Sequence, residues 1–559
     1  MNVPNDTIPT IIERFYHWER TTPDRVFLRQ PKGDQWLLLS YAQAGQEARK
    51  MASALRHLGL RKGDHVGIYS KNCYHWILAD LAIMMGGFVS VPLYAALPKD
   101  QLAEVVALGD LKAIFLGKLD SWGEKRTAIP TDTIAIRFPH YAGNTRIAMG
   151  KDWDQLVEAA EPAPTYVPNL DDLWTIKFTS GTTSTPKGVM HIHRSPALIM
   201  RSEAENGRMG YFDVAEPRFF SYLPLNHIAE RLGLEIPAIW LGASISFAES
   251  LDSFAKNLRE TQPNMFFAAP RIWTKFYLGV LAKIPLRRLE LLLKIPLVAG
   301  LMEKKLRRAL GMQNIQLAGT GAAITPVFIK DFYRKLGIHL IEVYGMTETC
   351  GMITSNTEPD APQDSVGTVV PYGTLRIHPD TGEVLMKTPY LMTGYYRDPQ
   401  KTAEVLIDGW MHTGDRGSLD EAGYLRITGR IKDAFKTTKG SYITPNVLEK
   451  ELAKNDYIEQ VCVVGLGVPQ PLALIHLSEI GWATHPDRVD QVIARSVERL
   501  NANRINHEKI ARAIILREAW TIENGLLTPT LKLKRGSIDQ RYAEDYLRWY
   551  ASKKVVVWA

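Results

Sequence analysis

Apolar residues recur at helical spacing over residues 44–60, a turn at Lys62-Gly63-Asp64 follows, and the short apolar run 65–69 predicts a strand. Comparable strand-then-helix units recur at 219–223, 244–248, 265–269 and 315–319, each run bounded by turn residues. This alternation predicts one large α/β body reaching to about residue 350. From 354 to 430 the pattern changes to short strands punctuated by Gly367, Gly373, Gly382 and Gly394, which predicts a smaller β-rich lobe. After Gly429 helices and strands return and run into an aromatic, basic tail. The expected division is an N-terminal domain at 1–430 and a C-terminal domain at 431–559, with no tandem repeat.

Length supports that division, because 559 residues, 45% of them hydrophobic, exceed what one core usually organises. Residues 81–98 carry no charge, yet Gly86-Gly87, Ser90 and Pro92 interrupt them, so the run predicts a buried helix turning into a buried strand. Cys73, Cys350 and Cys462 have neither zinc-ligand nor disulfide spacing, and the N-terminus lacks the basic start and apolar core of a secretory signal. A reducing, cytoplasmic location is the expectation. The net charge of +7 is small for 559 residues and gives no nucleic-acid signature. Nearly all of it falls in residues 281–310, where eight basic residues face two acidic ones. Interleaved leucines make this segment amphipathic and basic: either a solvated helical face over a core or a peripheral contact with an anionic membrane.

The candidate chemistry begins after the strand-like run 174–178, at Thr179-Ser180-Gly181-Thr182-Thr183-Ser184-Thr185-Pro186-Lys187-Gly188. Hydroxyls, backbone N–H groups and one mobile cation suit β- and γ-phosphates, although the spacing is not that of a Walker A loop. This loop resembles the phosphate loop of the adenylate-forming superfamily, which includes acyl-CoA synthetases, nonribosomal adenylation domains and firefly luciferase. Gly321-Ala322-Ala323, Tyr344-Gly345-Met346-Thr347-Glu348-Thr349, Asp408-Gly409-Trp410 with His412-Thr413-Gly414-Asp415, and Gly429-Arg430-Ile431-Lys432-Asp433 are similar to its further motifs, in the family's order. Ser184 stands where the family usually has glycine. Leu223-Pro224-Leu225-Asn226-His227-Ile228-Ala229-Glu230-Arg231, Ala269-Pro270-Arg271-Ile272-Trp273 and Leu527 to Arg535 resemble the long-chain fatty acid–CoA ligase branch, although the stretch between Trp273 and Leu317 is shorter than that branch leads one to expect.

The resemblance implies a large N-terminal domain of two layered α/β subdomains plus a distorted β-barrel, and a small mobile α+β C-terminal domain. It implies ATP, Mg²⁺ and coenzyme A as cofactor and cosubstrates. Glu348 and Thr179 are expected to hold the metal, with Ser180, Gly181, Thr182, Thr183 and Lys187 at the phosphates; one carboxylate and one hydroxyl suffice for a cation that keeps several waters. Thr347, Glu348, Lys187 and Lys532 form the expected catalytic set. Lys532 bridges the acid and the ribose and stabilises charge on the α-phosphate, and the neighbouring Lys534 and Arg535 are its rivals for that role. Asp415 is expected on the ribose hydroxyls with Arg430 assisting, Gly321 and Ala322 along the adenine, and Tyr344 stacked on it.

His227, Ala322 and Gly345 are the expected acyl-pocket residues. Members that take only acetate or propionate usually have tryptophan at the position of Gly345, so glycine implies an open tunnel end. Lys432 falls at the family's hinge, and Lys439-Gly440 at its coenzyme A channel. His191 and His193 alternate onto one face of a strand, a metal-pair geometry without a third ligand. The expected activity is ATP-dependent activation of a medium- to long-chain fatty acid to acyl-AMP, followed by thioester formation. An aryl or hydroxycinnamoyl acid, a carrier-protein acceptor, and a membrane-bound acyl-lipid binding protein with a degenerate site remain as alternatives.

Overall fold

A computed structural model of the protein describes residues 8–179, 186–438, 442–502, 504–522, 524–528 and 532–559. Among the described residues, one eight-stranded sheet runs in the order Gly394–Tyr395, Lys187–Ile192, Leu173–Thr179, Val89–Leu93, His65–Tyr69, Leu111–Leu116, Ile134–Arg137, Lys151–Asp152. Its centre is parallel, which requires crossover helices. Helix Tyr74–Gly86 is one of them, and from His75 onward it is buried on all sides. It stops at Gly87, whose φ of +73° is the left-handed conformation that glycine adopts without penalty. The uncharged run 81–98 is thus the end of this helix plus the buried strand Val89–Leu93. Among the described residues no helix is long and apolar enough to cross a membrane.

A second, nine-stranded sheet carries Leu340–Tyr344, Leu317–Gly321, Met265–Ala268, Arg218–Ser221 and Ser244–Phe247 as parallel neighbours, with Val26–Lys32 and Gln35–Ser40 at one edge. The run expected at 315–319 is displaced two residues to Leu317–Gly321. This shift carries the strand's end to the Gly321-Ala322 turn.

The β-rich stretch 354–430 is not one lobe. Thr354–Asn356 and Thr368–Val369 extend the nine-stranded sheet, and Gly394–Tyr395 pairs with Lys187–Ile192 in the eight-stranded one. The remaining strands, Thr374–Ile377, Glu383–Lys387, Leu406–Ile407, Trp410–Leu419 and Leu425–Arg430, form a five-stranded antiparallel sheet where a distorted barrel is expected. Hydrophobic alternation identifies strands without identifying their partners, and these short segments complete sheets begun far upstream.

Beyond Arg430, the sheet of Ile458–Val464, Leu472–Leu477, Arg512–Ile515 and Val556–Trp558 has an apolar cluster on each face. One cluster gathers Leu448, Ile493 and Val497, the other Trp520, Tyr546 and Trp549. Tyr277 of the body donates to Asp456 of this unit at 3.0 Å, Arg271 pairs with Glu459 at 3.3 Å, and Ile480 packs against the core of the nine-stranded layer.

Residues 281–310 fold as two helices, Leu286–Leu293 and Pro296–Ala309, between strands Met265–Ala268 and Leu317–Gly321. Leu289 and Leu306 anchor them to the core of that layer.

Candidate active site

Strands Leu173–Thr179 and Lys187–Ile192 form an antiparallel hairpin whose register pairs Thr179 with Lys187. Ser180, Gly181, Thr182, Thr183 and Ser184, which connect them, lie outside the described residues, as do Lys439 and Gly440. Thr179 and Lys187 therefore stand at the two feet of the expected phosphate loop. Lys187 Nζ lies 5.1 Å from the ring centroid of Tyr395, within cation–π range.

Tyr395 connects this lysine to the next motif, because its hydroxyl donates to Glu348 Oε1 at 2.8 Å. Burial, and then the adjacent Glu348, push the Tyr395 pKa up, so the phenol keeps its proton and acts as the donor. Glu348 belongs to the short 3₁₀ turn Thr347–Thr349, and its carbonyl accepts from the Met392 N–H at 2.8 Å. His191 Nε2 meets the Thr347 carbonyl at 2.7 Å, and burial holds the imidazole neutral, with a pKa near 4. A neutral ring has one N–H, which it donates here. His193 follows the strand's end at φ −59°, where alternation has already broken. Among the described residues no cluster of three His, Cys, Asp or Glu exists to hold a metal. His191 positions the Thr347 turn.

The third group comes from the five-stranded sheet, where Asp415 and Arg430 are direct partners across neighbouring strands. Arg430 Nε lies 3.1 Å from Asp415 Oδ1, and the Tyr344 hydroxyl donates to Asp415 Oδ2 at 2.7 Å. Asp415 is buried. Tyr344 also ends the strand next to Gly321, so the adenine-side and ribose-side motifs meet through one phenol.

Lys532 reaches this cluster from the C-terminal unit. The Thr528 N–H donates to the Lys532 carbonyl at 2.7 Å and the Lys532 N–H to Thr528 Oγ1 at 3.0 Å. Burial lowers its pKa to about 8; Arg430 lowers it further, while Asp415 and Glu348 oppose both. The charges that act on the ammonium thus belong to the residues of the other motifs. The neighbouring Arg535 is spoken for inside the C-terminal unit, with two bonds to Glu449 at 2.7 and 3.0 Å, one to the Val463 carbonyl at 2.9 Å and one to Asn446 at 3.1 Å. Lys534 precedes the helix Arg535–Tyr542 as its N-cap residue.

His227, Ala322 and Gly345 are the residues expected at the acyl pocket. His227 Nδ1 accepts the Ala229 N–H at 3.1 Å, which leaves Nε2 as the protonated nitrogen. Burial, with help from Lys532 and Lys177, lowers its pKa to about 3, so it is a neutral donor and no base. Ala322 has φ +68°, a left-handed conformation that costs an alanine roughly 1–2 kcal/mol. Such strain concentrates at functional sites. Buried contacts hold the turn: the Thr325 N–H donates to Glu342 at 2.7 Å, and Lys330 pairs with the same carboxylate at 2.6 Å.

Gly345 differs from expectation. A Cβ on it would lie 2.2 Å from the Gly351 carbonyl oxygen and 2.8 Å from Met352 Cα. The missing side chain thus makes room for backbone, not for a tunnel. Gly321 is similar, since its Cβ would meet the Val343 carbonyl at 2.5 Å. Lys432 is exposed in the 3₁₀ turn Ile431–Asp433, where the five-stranded sheet ends and the C-terminal unit begins.

Sequence reasoning missed Tyr395 and the Lys330–Glu342 pair, and it gave Arg231 no role. Arg231 is fully buried, bonded to Asp80 and, at 2.7 Å, to Glu235, with its guanidinium 4.2 Å from the Trp174 ring. A π-helical turn, Arg231–Glu235, carries it. Its place in the motif beginning at Leu223 was the available signal.

An AMP-binding enzyme family model matches residues 15–396, and a model of the AMP-binding enzyme C-terminal domain matches residues 432–554. A long-chain-fatty-acid–CoA ligase of Mycobacterium bovis is 30% identical, covering 95% of each chain. Long chain acyl-CoA synthetase 7, peroxisomal, of Arabidopsis thaliana is 28% identical over 97% of this chain and 87% of its own. The crystal structure of the anthranilate CoA ligase AuaEII with anthranoyl-AMP superposes with a TM-score of 0.79 at 18% identity, covering 98% of this chain and all of that one. An AMP complex of the A-PCP didomain of carboxylic acid reductase from Segniliparus rugosus reaches a TM-score of 0.82 at 21% identity, with 98% and 83% covered. At these identities the structures establish a shared fold. With both domain models matched in order and full-length relatives at 30% identity, the chain belongs to the AMP-binding enzyme family.

Proposed function

We propose that the chain is an AMP-forming acyl-CoA ligase whose acid is a medium- to long-chain fatty acid. The observation that carries the reading is the meeting of Asp415 and Arg430, neighbours in the five-stranded sheet, with Tyr344 of the nine-stranded sheet, and the electrostatic coupling of Lys532 to Arg430, Asp415 and Glu348. In the first half-reaction a carboxylate oxygen attacks the α-phosphorus of ATP, and the bond to the β-phosphate breaks as pyrophosphate leaves with the electron pair. Bringing two anions together needs cations, and Lys187, Arg430 and Lys532 supply three. Asp415 accepts the ribose hydroxyls, with Arg430 and Tyr344 fixing its orientation.

Glu348, bonded by the Tyr395 hydroxyl at Oε1 only, and Thr179 at the foot of the phosphate loop would hold Mg²⁺. When bound, the ion neutralises charge on the departing phosphates. In the second half-reaction the thiol of coenzyme A loses its proton and attacks the acyl carbon, releasing AMP. The domains 1–430 and 431–559 rotate about Lys432 between the two steps. The polar contacts between them, Tyr277 to Asp456 and Arg271 to Glu459, and the C-terminal unit's own apolar clusters support that motion. His227, whose Nδ1 is taken by the Ala229 N–H, keeps an Nε2–H with which to act as a donor at the acyl site.

The fatty chain rests on the names of the full-length relatives, long-chain fatty acid ligases from bacteria and plants. The test is AMP and pyrophosphate release from Mg²⁺-ATP with acids from acetate through palmitate, plus benzoate and cinnamates, with and without coenzyme A. Thiol-dependent AMP formation that rises with chain length, by up to about 0.8 kcal/mol per buried CH₂, and collapses in Lys532→Ala is the expected result. A preference for aryl acids sinks the fatty-acid assignment. Pyrophosphate release indifferent to coenzyme A moves the acceptor to a carrier protein.

A further inference from the structure

Helix Pro296–Ala309 presents Leu297, Leu301, Lys304 and Arg308 at spacings of four, three and four residues, which places them along one face. That face points away from the core. Leu297 is 88% exposed and Leu301 71%, and Leu291 and Ile295, just before the helix, are 62% and 45% exposed. Four large apolar side chains in water within eleven residues form an apolar tip at the turn between two helices.

Cations surround the tip. Lys294 adjoins it, Arg287 and Arg288 lie on the exposed side of helix Leu286–Leu293, and Lys304, Lys305 and Arg308 continue the face of the second helix. Among the described residues none of these six has an ion-pair partner, and Glu290 is occupied by Lys335 at 3.2 Å. Arg259 joins Lys304, Lys305, Arg308 and Leu301 along a shallow groove beside the second helix. The local excess of +6 leaves +1 for all the rest of the chain.

We propose that the helix pair 286–309 docks on an anionic lipid bilayer, with Leu291, Ile295, Leu297 and Leu301 entering the interfacial layer and the surrounding cations meeting lipid phosphates. Charge complementarity selects this occupant. A second copy of the chain would bring two strongly basic patches face to face, which association opposes. A nucleic acid would satisfy the cations but leave the exposed leucines in water. An apolar tip ringed by lysine and arginine matches the layered polarity of a membrane surface. No helix spanning a bilayer is involved, and the docking does not depend on the ligase reading.

The test is co-sedimentation of the full chain with vesicles of phosphatidylcholine containing about 30% phosphatidylglycerol, against phosphatidylcholine alone, from about 0.05 to about 0.5 M NaCl. Binding to the anionic vesicles that falls steeply with salt is expected. The double variants Leu297→Ser/Leu301→Ser and Lys304→Glu/Lys305→Glu each lower the partition coefficient roughly tenfold or more, while circular dichroism and AMP formation from octanoate stay as in the wild type. Equal binding to neutral vesicles, or unchanged binding by folded variants, overturns the proposal. So does a dimer in sedimentation velocity that the leucine variants dissociate, or salt-sensitive binding to duplex DNA without vesicle binding. Vesicle binding by a protein that activates no acid would refute the ligase assignment and leave the docking intact.

Discussion

The Tyr395 hydroxyl donates to Glu348 Oε1 at 2.8 Å while the same ring lies 5.1 Å from Lys187 Nζ, so one tyrosine joins the phosphate-loop lysine to the carboxylate of the 3₁₀ turn. The phenol fixes the carboxylate without taking up its charge. Tyr395→Phe removes a hydrogen bond to a charged acceptor, worth about 1.5–3 kcal/mol, and kcat/KM for adenylation is expected to fall roughly 10- to 100-fold. The Mg²⁺ concentration for half-maximal rate should rise in parallel. A variant with unchanged Mg²⁺ dependence would separate Tyr395 from the metal site.

Lys532 gives the free enzyme an alkaline limit. Its pKa is lowered from 10.5 to about 8, with burial as the main cause. If adenylation uses the ammonium, kcat/KM for ATP falls as pH rises through about 8, and the limit moves upward in kcat once anionic substrates surround the lysine. Stability follows the same sign. Because the folded pKa lies below the unfolded one, the folded state carries the full cost of the charge below pH 8, and that cost disappears above about 10.5. Lys532→Met is therefore expected to raise the melting temperature at pH 7 while abolishing adenylation. A profile flat through pH 9 would place another group in the role.

Gly345→Ala distinguishes two explanations of one glycine. If the residue merely keeps a tunnel open, alanine shortens the preferred acid and leaves the melting temperature alone. The geometry gives the other outcome, because a Cβ 2.2 Å from the Gly351 oxygen must displace backbone. A loss of about 1–3 kcal/mol of stability is expected, the usual scale of overpacking, together with reduced turnover for short and long acids alike. Thermal unfolding and a chain-length series decide between them.

What the sequence made legible follows from the range of each interaction. The strand at His65–Tyr69, the helix into Gly87 and the strand leading into Thr179 depend on local periodicity and turn residues, and each lies where that pattern predicts. Lys532, Lys534 and Arg535 fit one basic run and spacing does not tell them apart; the ion pair of Arg535 with Glu449 sets that one apart. Tyr395 was illegible because its strand of two residues pairs with Lys187–Ile192, some two hundred positions upstream. The partner sheets of the 354–430 strands were hidden for the same reason. At Gly345 the sequence shows a missing side chain but not the backbone of Gly351 and Met352 that lies where that side chain would begin.

Arg231 tests how far the buried charges beneath the site are structural. Its guanidinium is bonded to Asp80 and Glu235, stacks on Trp174 and has no exposure, and burial raises the Glu235 pKa toward neutrality despite the arginine. Lys177 Nζ lies buried nearby without a hydrogen-bond partner, its pKa lowered by burial and by the arginine. Removing only the arginine leaves two carboxylates buried together, a change that costs about 3–5 kcal/mol when one partner of a buried pair is deleted. Arg231→Met should therefore lower stability by that order at pH 7. The loss should grow as pH rises from 7 to 9, since Glu235, whose pKa burial raises to about 8 in the wild type, then carries its full charge beside the arginine there and has no such partner in the variant. Denaturant unfolding at the two pH values measures both effects, and an equal loss at each would mean that the charge on Glu235 does not enter, with the arginine acting through its packing on Trp174.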